Sequence, residues 1–189
     1  MATNENEGRC ALVTGASAGI GQELARVLAA NKFNLVLLAR SCDKLQALAN
    51  ELSAAHGIRT TIVPADLSEP GAAQAVFQAV RDAGTQIDLL VNNAGLLMEG
   101  RFNALDLDKQ LQLLQVNIVA MTAMTHLFLA PMLERKRGRI LNVASIASFM
   151  PVPNLAVYAA SKAYVRSFGD ALFQELSGSG ITVTTLCPG

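Results

Sequence analysis

Only three cysteines stand in the 189 residues, Cys10, Cys42 and Cys187, and no two of them have C-x-x-C spacing. An odd count without that spacing indicates neither a disulfide framework nor a zinc site, so each reads as a reduced, semi-buried thiol. Histidine is scarcer still, with His56 and His126 alone. Excess charge of either sign is missing, because 15 Lys and Arg balance 15 Asp and Glu. That balance points away from nucleic acid and from an acidic membrane surface as partners. The one local excess, Arg135-Lys136-Arg137 with Arg139, reads as a solvated turn before a strand. No apolar run approaches the roughly 20 residues of a membrane span. The polar stretch from Met1 to Arg9 has no apolar core of the kind a signal peptide needs. These absences together lead to the expectation of a cytoplasmic protein.

What is present is apolar and regular. Hydrophobic residues make up 51% and charged residues 16% of the chain, which predicts an ordered globule with one core. Short apolar runs at 11–14, 35–39, 60–64, 88–91, 139–143 and 181–186 alternate with segments of helical spacing near 19–31, 42–55, 70–83, 105–135 and 157–177. Strand and helix in strict alternation predict an α/β fold, a Rossmann-like doubly wound parallel sheet of six strands with helices on both faces. Nearly continuous hydrophobicity, as in Leu35-Val36-Leu37-Leu38, fits strands buried on both sides. Asn117 and Pro131 are the points at which 105–135 is expected to break or end. Residues 1–8 are expected to be a flexible tail before a single domain at 9–189.

Between the first strand and the first helix stands Thr14-Gly15-Ala16-Ser17-Ala18-Gly19-Ile20-Gly21. Glycines there permit a tight turn and close approach of a pyrophosphate, whose charge the helix N-terminus favours. The spacing G-x-x-x-G-x-G differs from the general dinucleotide fingerprint. The same residues spell G-x-S-x-G, which gives a competing reading as a serine hydrolase with Ser17 as nucleophile. Context opposes it: one strand precedes Ser17, where such elbows follow several, and His56 and His126 are the only imidazoles available as base.

The second strand ends Leu38-Ala39-Arg40-Ser41. An acidic residue there would bind a ribose 2′-hydroxyl, as in NAD-preferring dinucleotide folds. Asp43, the first carboxylate to follow, is placed to help start the next helix. Arg40 suits a 2′-phosphate, so NADP(H) is favoured over NAD(H).

Tyr158-Ala159-Ala160-Ser161-Lys162 sets a phenol and an ammonium four residues apart, on one face of a helix. A free phenol ionises near 10 and is a poor base at neutral pH; a neighbouring ammonium stabilises the phenolate and makes it usable. With this pair, Gly15, Gly19 and Gly21, Asn92-Asn93-Ala94-Gly95, Asn117, Ser145 thirteen residues before the tyrosine, and Pro188-Gly189 follow in order. On these residues the whole chain resembles the short-chain dehydrogenase/reductase family.

The resemblance implies an NADP-dependent oxidoreductase acting on an alcohol or carbonyl group. Tyr158 would exchange the proton with the substrate oxygen and Ser145 would polarise that oxygen. Lys162 would support Tyr158 and hold the nicotinamide ribose, and Asn117 would support a water linking Lys162 to solvent. The cofactor would lie on Gly15, Ser17, Ala18, Gly19, Ile20, Gly21, Arg40, Asp66, Leu67, Asn93, Ala94, Gly95, Tyr158, Lys162, Pro188 and Gly189. No metal is implied. Ser148 is the alternative to Ser145, and Asn117 has a purely structural alternative, satisfying backbone groups. Leu96-Leu97-Met98 and Phe149-Met150-Pro151-Val152-Pro153 would flank the nicotinamide, which suggests an apolar small-molecule substrate. The family commonly forms dimers or tetramers through the helices at 105–135 and 157–177. Its members usually continue past P-G with a substrate-covering segment and a seventh strand. Against that pattern the chain reads as C-terminally truncated, which keeps a second alternative open: a nucleotide-binding but catalytically weak module.

Overall fold

The computed structural model describes residues 6 and 8–189; the rest of the expected tail at 1–8 lies outside the described residues. Six strands, β1 (Cys10–Thr14), β2 (Asn34–Ala39), β3 (Thr60–Pro64), β4 (Leu89–Asn92), β5 (Gly138–Val143) and β6 (Ile181–Leu186), form one sheet in the order β3-β2-β1-β4-β5-β6. Every pairing is parallel, as in Ala11 opposite Leu35 and Leu89. The fold is Rossmann-like. The chain winds outward from β1 to β3, then returns to β4 on the other side of β1. That reversal opens a crevice at the carboxyl ends of β1 and β4, where doubly wound folds bind ligands.

Alternation along the strands divides the core in two. Leu12, Val36, Leu38 and Leu90 pack on one face with Val76 and Val80 of α3 (Ala72–Asp82). Ala11, Val13, Leu35 and Leu37 pack on the other with Ala25 of α1 (Gly19–Ala30) and Leu48 of α2 (Cys42–His56). Adjacent residues belong to opposite cores because strand side chains alternate. Leu12 and Leu37 are fully buried, and truncating either to Ala removes about 2–5 kcal/mol of stability.

The segment expected to break at Asn117 and Pro131 instead runs as one helical rod. It comprises α4 (Leu107–Leu114), a π-helical stretch (Gln115–Ala120) and α5 (Met121–Glu134), with Pro131 inside α5. Asn117 is accommodated by the wider π-turn, a feature frequent at functional sites. By length and composition this 28-residue helix is apolar enough to cross a membrane, with mean hydropathy 1.6 over 18 residues. The sequence expectation missed it by counting uninterrupted apolar runs. In the fold, Leu113, Ala120, Met124, Phe128 and Met132 bury one side of the rod.

Two further expectations change. Only Cys187 is half-buried: Cys42 is exposed, and Cys10 is buried, its thiol pushed up to about 12 chiefly by burial and secondarily by Asp88. The basic turn is also more than solvated. Arg135 donates to the carbonyls of Pro131 and Ile87, and Arg137 bonds the buried Asp88 at 3.0 Å.

Candidate active site

The first wall of the crevice begins at Thr14, the last residue of β1. Its hydroxyl donates to Val91 O (3.1 Å) and accepts from the N–H groups of Asn93 and Ala94, both at 2.9 Å. Asn93 Nδ2 donates to Thr14 O at 2.9 Å and to Gly15 O at 3.3 Å. The Asn-Ala-Gly segment after β4 is thus stapled to the glycine turn after β1. Gly15 is held at φ +67°, and a Cβ there would lie 2.8 Å from Asn93 Nδ2. At Gly21 a Cβ would run into the Asn93 amide and the Gly15 carbonyl. Gly21 therefore serves close packing, and neither it nor Gly19 lines the crevice. Ala18 caps α1 without a side-chain acceptor, which leaves first-turn N–H groups for an anion.

The crevice is a single cleft of about 710 Å³. Gly15, Ser17, Ala18 and Ile20 line it at the glycine turn; Arg40, Asp66 and Leu67 at the ends of β2 and β3; Asn93, Ala94 and Gly95 in the middle. Ser145, Tyr158, Lys162, Pro188 and Gly189 line its other end. Asn117 stands behind that wall. His56 ends α2 and His126 faces other surface clefts, so Ser17 has no imidazole beside it and the hydrolase reading loses its base.

At the Arg40 end the polar groups are exposed and loosely tied. Arg40 Nη1 lies 3.7 Å from Asp66 Oδ2, with 64% of the Arg40 side chain exposed. Partial burial raises the Asp66 carboxyl, but the N–H and hydroxyl of Ser68 (2.9 and 2.7 Å) and the Arg40 charge outweigh it and leave it below its ordinary value. Lys44, in the first turn of α2, and Ser41 line the same end. Sequence reasoning passed over Lys44, although its i+4 spacing from Arg40 was a readable signal. Asp43 sits in the first turn of α2, as expected, where the helix dipole favours it.

At the other end Asn117, Ser161 and Lys162 are buried and hydrogen-bonded, while Ser145 and Tyr158 are half-buried. Tyr158 and Lys162 stand one turn apart on α6 (Ala156–Glu175), with Lys162 Nζ 5.9 Å from the Tyr158 ring centre. Lys162 is 6% exposed and donates to Val143 O at 2.7 Å. Burial lowers its pKa from 10.5 to about 8, opposed by the charge of Cys187. Asn117 Oδ1 accepts from Leu96 N (2.8 Å), and its Nδ2 donates to Leu96 O (3.0 Å) and to Ser161 Oγ (3.0 Å). Ser145 caps the short turn Ile146–Ser148, its hydroxyl accepting from Ala147 N at 3.1 Å. Ser148 is buried with its hydroxyl toward Cys187, so Ser145 and not Ser148 lines the cleft. Thr14 and Ser161 were visible in the sequence only as spacers, because their partners are distant along the chain.

The geometry has close counterparts. The chain is 38% identical over 184 residues to hydroxysteroid dehydrogenase-like protein 1 of Gallus gallus, covering 96% of this chain and 55% of that one. It is 36% identical over 185 residues to the inactive hydroxysteroid dehydrogenase-like protein 1 of Homo sapiens, with the same two coverages, 96% and 55%. The chain thus spans about half the length of these curated relatives. A short-chain dehydrogenase from Sphingobium yanoikuyae, solved in complex with NADPH, superposes with a TM-score of 0.90 at 33% identity, over 95% of this chain and 70% of that one. The sequence profile of the short chain dehydrogenase family matches residues 9–189. Since that match takes in both ends of the cleft and the sheet that carries them, the chain belongs to the short-chain dehydrogenase family.

Proposed function

We propose that this chain supplies the catalytic apparatus of an NADP(H)-dependent oxidoreductase that interconverts an apolar alcohol and its carbonyl compound. One observation carries the reading: the glycine turn and the Ser145–Tyr158–Lys162 group open into one continuous cleft. The cleft suits a dinucleotide, because Gly15 and Gly21 let the glycine turn pack tightly against Asn93 and the first turn of α1 offers free N–H groups. Arg40 with Lys44 and Ser41 would hold a 2′-phosphate, and no carboxylate on β2 competes for the ribose. The solved relative with NADPH supports that preference.

When bound, the nicotinamide supplies or accepts the hydride. Tyr158 gives its phenolic proton to the substrate oxygen in reduction and takes it back in oxidation. Ser145 donates a hydrogen bond to the same oxygen as negative charge develops on it. Lys162, charged, stabilises the phenolate left behind. Asn117 holds the Leu96 backbone and the inner end of α6 in place. Leu97, Phe149 and Met150 are exposed near this end and favour an apolar substrate.

The second reading, a nucleotide-binding module with weak catalysis, draws support from the human relative whose name calls it inactive. We place the protein in the cytoplasm. We propose assembly as a homodimer or homotetramer through the helix at 107–134 and α6, where Leu111, Val119 and Phe173 are exposed. Titrating the purified chain with NADPH and with NADH, beside a Tyr158→Phe variant, tests the function. Expected are tighter binding of NADPH, little changed in the variant, and carbonyl reduction that the variant abolishes. Failure to bind either nucleotide overturns the proposal; binding without Tyr158-dependent turnover selects the second reading.

A further inference from the structure

Ser161, the spacer inside Tyr158-Ala159-Ala160-Ser161-Lys162, is completely buried and makes two hydrogen bonds. Its hydroxyl has one proton, and that proton goes to the carbonyl of Tyr158 at 2.7 Å. The lone pairs that remain face Asn117 Nδ2 at 3.0 Å. The direction of this chain is fixed by the backbone of Leu96, since its N–H requires the carboxamide oxygen and its carbonyl requires the carboxamide nitrogen. Both Nδ2 protons of Asn117 are therefore committed, one to Leu96 O and one to Ser161.

The consequence reaches the reacting groups. Asn117 and Lys162 converge on the Gly95 backbone: a Cβ built there would stand 3.3 Å from Asn117 Oδ1 and 3.4 Å from Lys162 Nζ. Ser161 is the hydrogen-bonded link between this convergence and the turn of α6 that carries Tyr158. Taking the proposed oxidoreductase function as its basis, we infer that Ser161 is a positioning residue. Its hydroxyl couples the Asn117 carboxamide to the Tyr158 turn, so that Tyr158 and Lys162 keep the register needed for proton exchange.

Removing the hydroxyl leaves one Nδ2 proton of Asn117 buried without an acceptor and frees the Tyr158 carbonyl of its second bond. Ser161→Ala should still fold, because alanine is smaller and favours helix. Two readouts on the full chain decide the matter. The first is the side-chain amide signal of Asn117 by ¹⁵N-edited NMR, assigned with Asn117→Asp, which needs no activity. In Ser161→Ala one Nδ2 proton should shift and lose its protection from exchange, and Ser161→Thr, which keeps a hydroxyl, should restore it. The second is steady-state carbonyl reduction: kcat should fall about tenfold while NADPH affinity stays within about twofold, with the pH–rate profile displaced.

An unchanged Asn117 signal overturns the coupling, whatever happens to the rate. A changed signal with an unchanged kcat overturns the positioning role. If the unmodified chain binds NADPH but turns nothing over, the proposed function fails, and the Asn117 signal alone still decides whether the coupling exists.

Discussion

The two ends of the cleft are built on opposite physical terms. At the Arg40 end, where we propose that the cofactor is chosen, the charges are solvated: an ion pair at 3.7 Å between partners 64% and 35% exposed, of a kind worth about 0–1 kcal/mol. At the Tyr158 end Asn117, Ser161 and Lys162 are at most 6% exposed, and each is hydrogen-bonded. Leaving one such buried group unpaired costs about 1–3 kcal/mol. Under the proposed function, choosing a cofactor would need only adjustable, screened charge at the rim, whereas exchanging a proton would need groups held in place by a dry interior. It follows that the two ends should respond differently to mutation, pH and salt.

The largest expected effect is at the buried end. Tyr158→Phe should lower kcat by about 10²–10⁴-fold, the usual contribution of a general acid, with NADPH affinity within about twofold. Steady-state kinetics beside fluorescence titration check this, and a variant that keeps a tenth of its activity would break the comparison.

Lys162→Met should remove turnover as well, and it should also alter how stability depends on pH. Burial holds Lys162 at about 8 when folded, against 10.5 free. Between those values the unfolded chain keeps a proton that the folded chain has released, so stability rises with pH across that window, by about 3 kcal/mol at most. Below pH 8 the cost of burying the charge is fully present. Denaturant melts at pH 7.5 and pH 9 should show a rise in the unmodified chain, and Lys162→Met should lose it, keeping only the slight fall imposed by the buried Cys10 thiol, raised from 9.0 to about 12, as the unfolded chain's thiol begins to ionise.

At the exposed end the effects are smaller and depend on salt. Arg40→Ala should weaken NADPH about ten- to a hundredfold, as expected for losing a charge-assisted contact, and leave NADH nearly unchanged. Calorimetric titration with both nucleotides distinguishes this from general damage to the cleft. Lys44→Ala should weaken NADPH only about threefold, and the difference should disappear at roughly 1 M salt, where the screening length falls to about 3 Å. A salt-independent loss at Lys44 would show that the rim is less solvated than its exposure indicates.

Much of this architecture was legible along the chain. Alternating apolar runs and helical spacings forecast six parallel strands; β1, β2 and β4 are buried on both faces, whereas the edge strands β3 and β6 are partly exposed. The glycine turn, the Asn-Ala-Gly segment and the Tyr158–Lys162 pair could be placed by local spacing alone. The rod at 107–134 was misjudged at Asn117 because asparagine is a weak helix former whose side chain competes for backbone groups, when its carboxamide in fact satisfies Leu96 across 21 residues. Arg135 and Arg137 read as solvated because the carbonyl of Ile87 and the carboxylate of Asp88, their partners, lie 48 and 49 residues earlier.

By itself, then, the sequence determined the alternation of elements, the turn that can cradle a pyrophosphate, and the phenol–ammonium pair on one helical face. Each is set by residues within a turn or two of one another, through backbone freedom and side-chain period. Only the tertiary structure decided that Thr14 would bind Asn93 across 79 residues and that Asn117 would reach Ser161 across 44. It also decided that Lys162 would be buried deeply enough to titrate near 8. These depend on strand order and on exclusion of water, which arise when β4 returns beside β1 and α6 closes over β5. No local pattern encodes either.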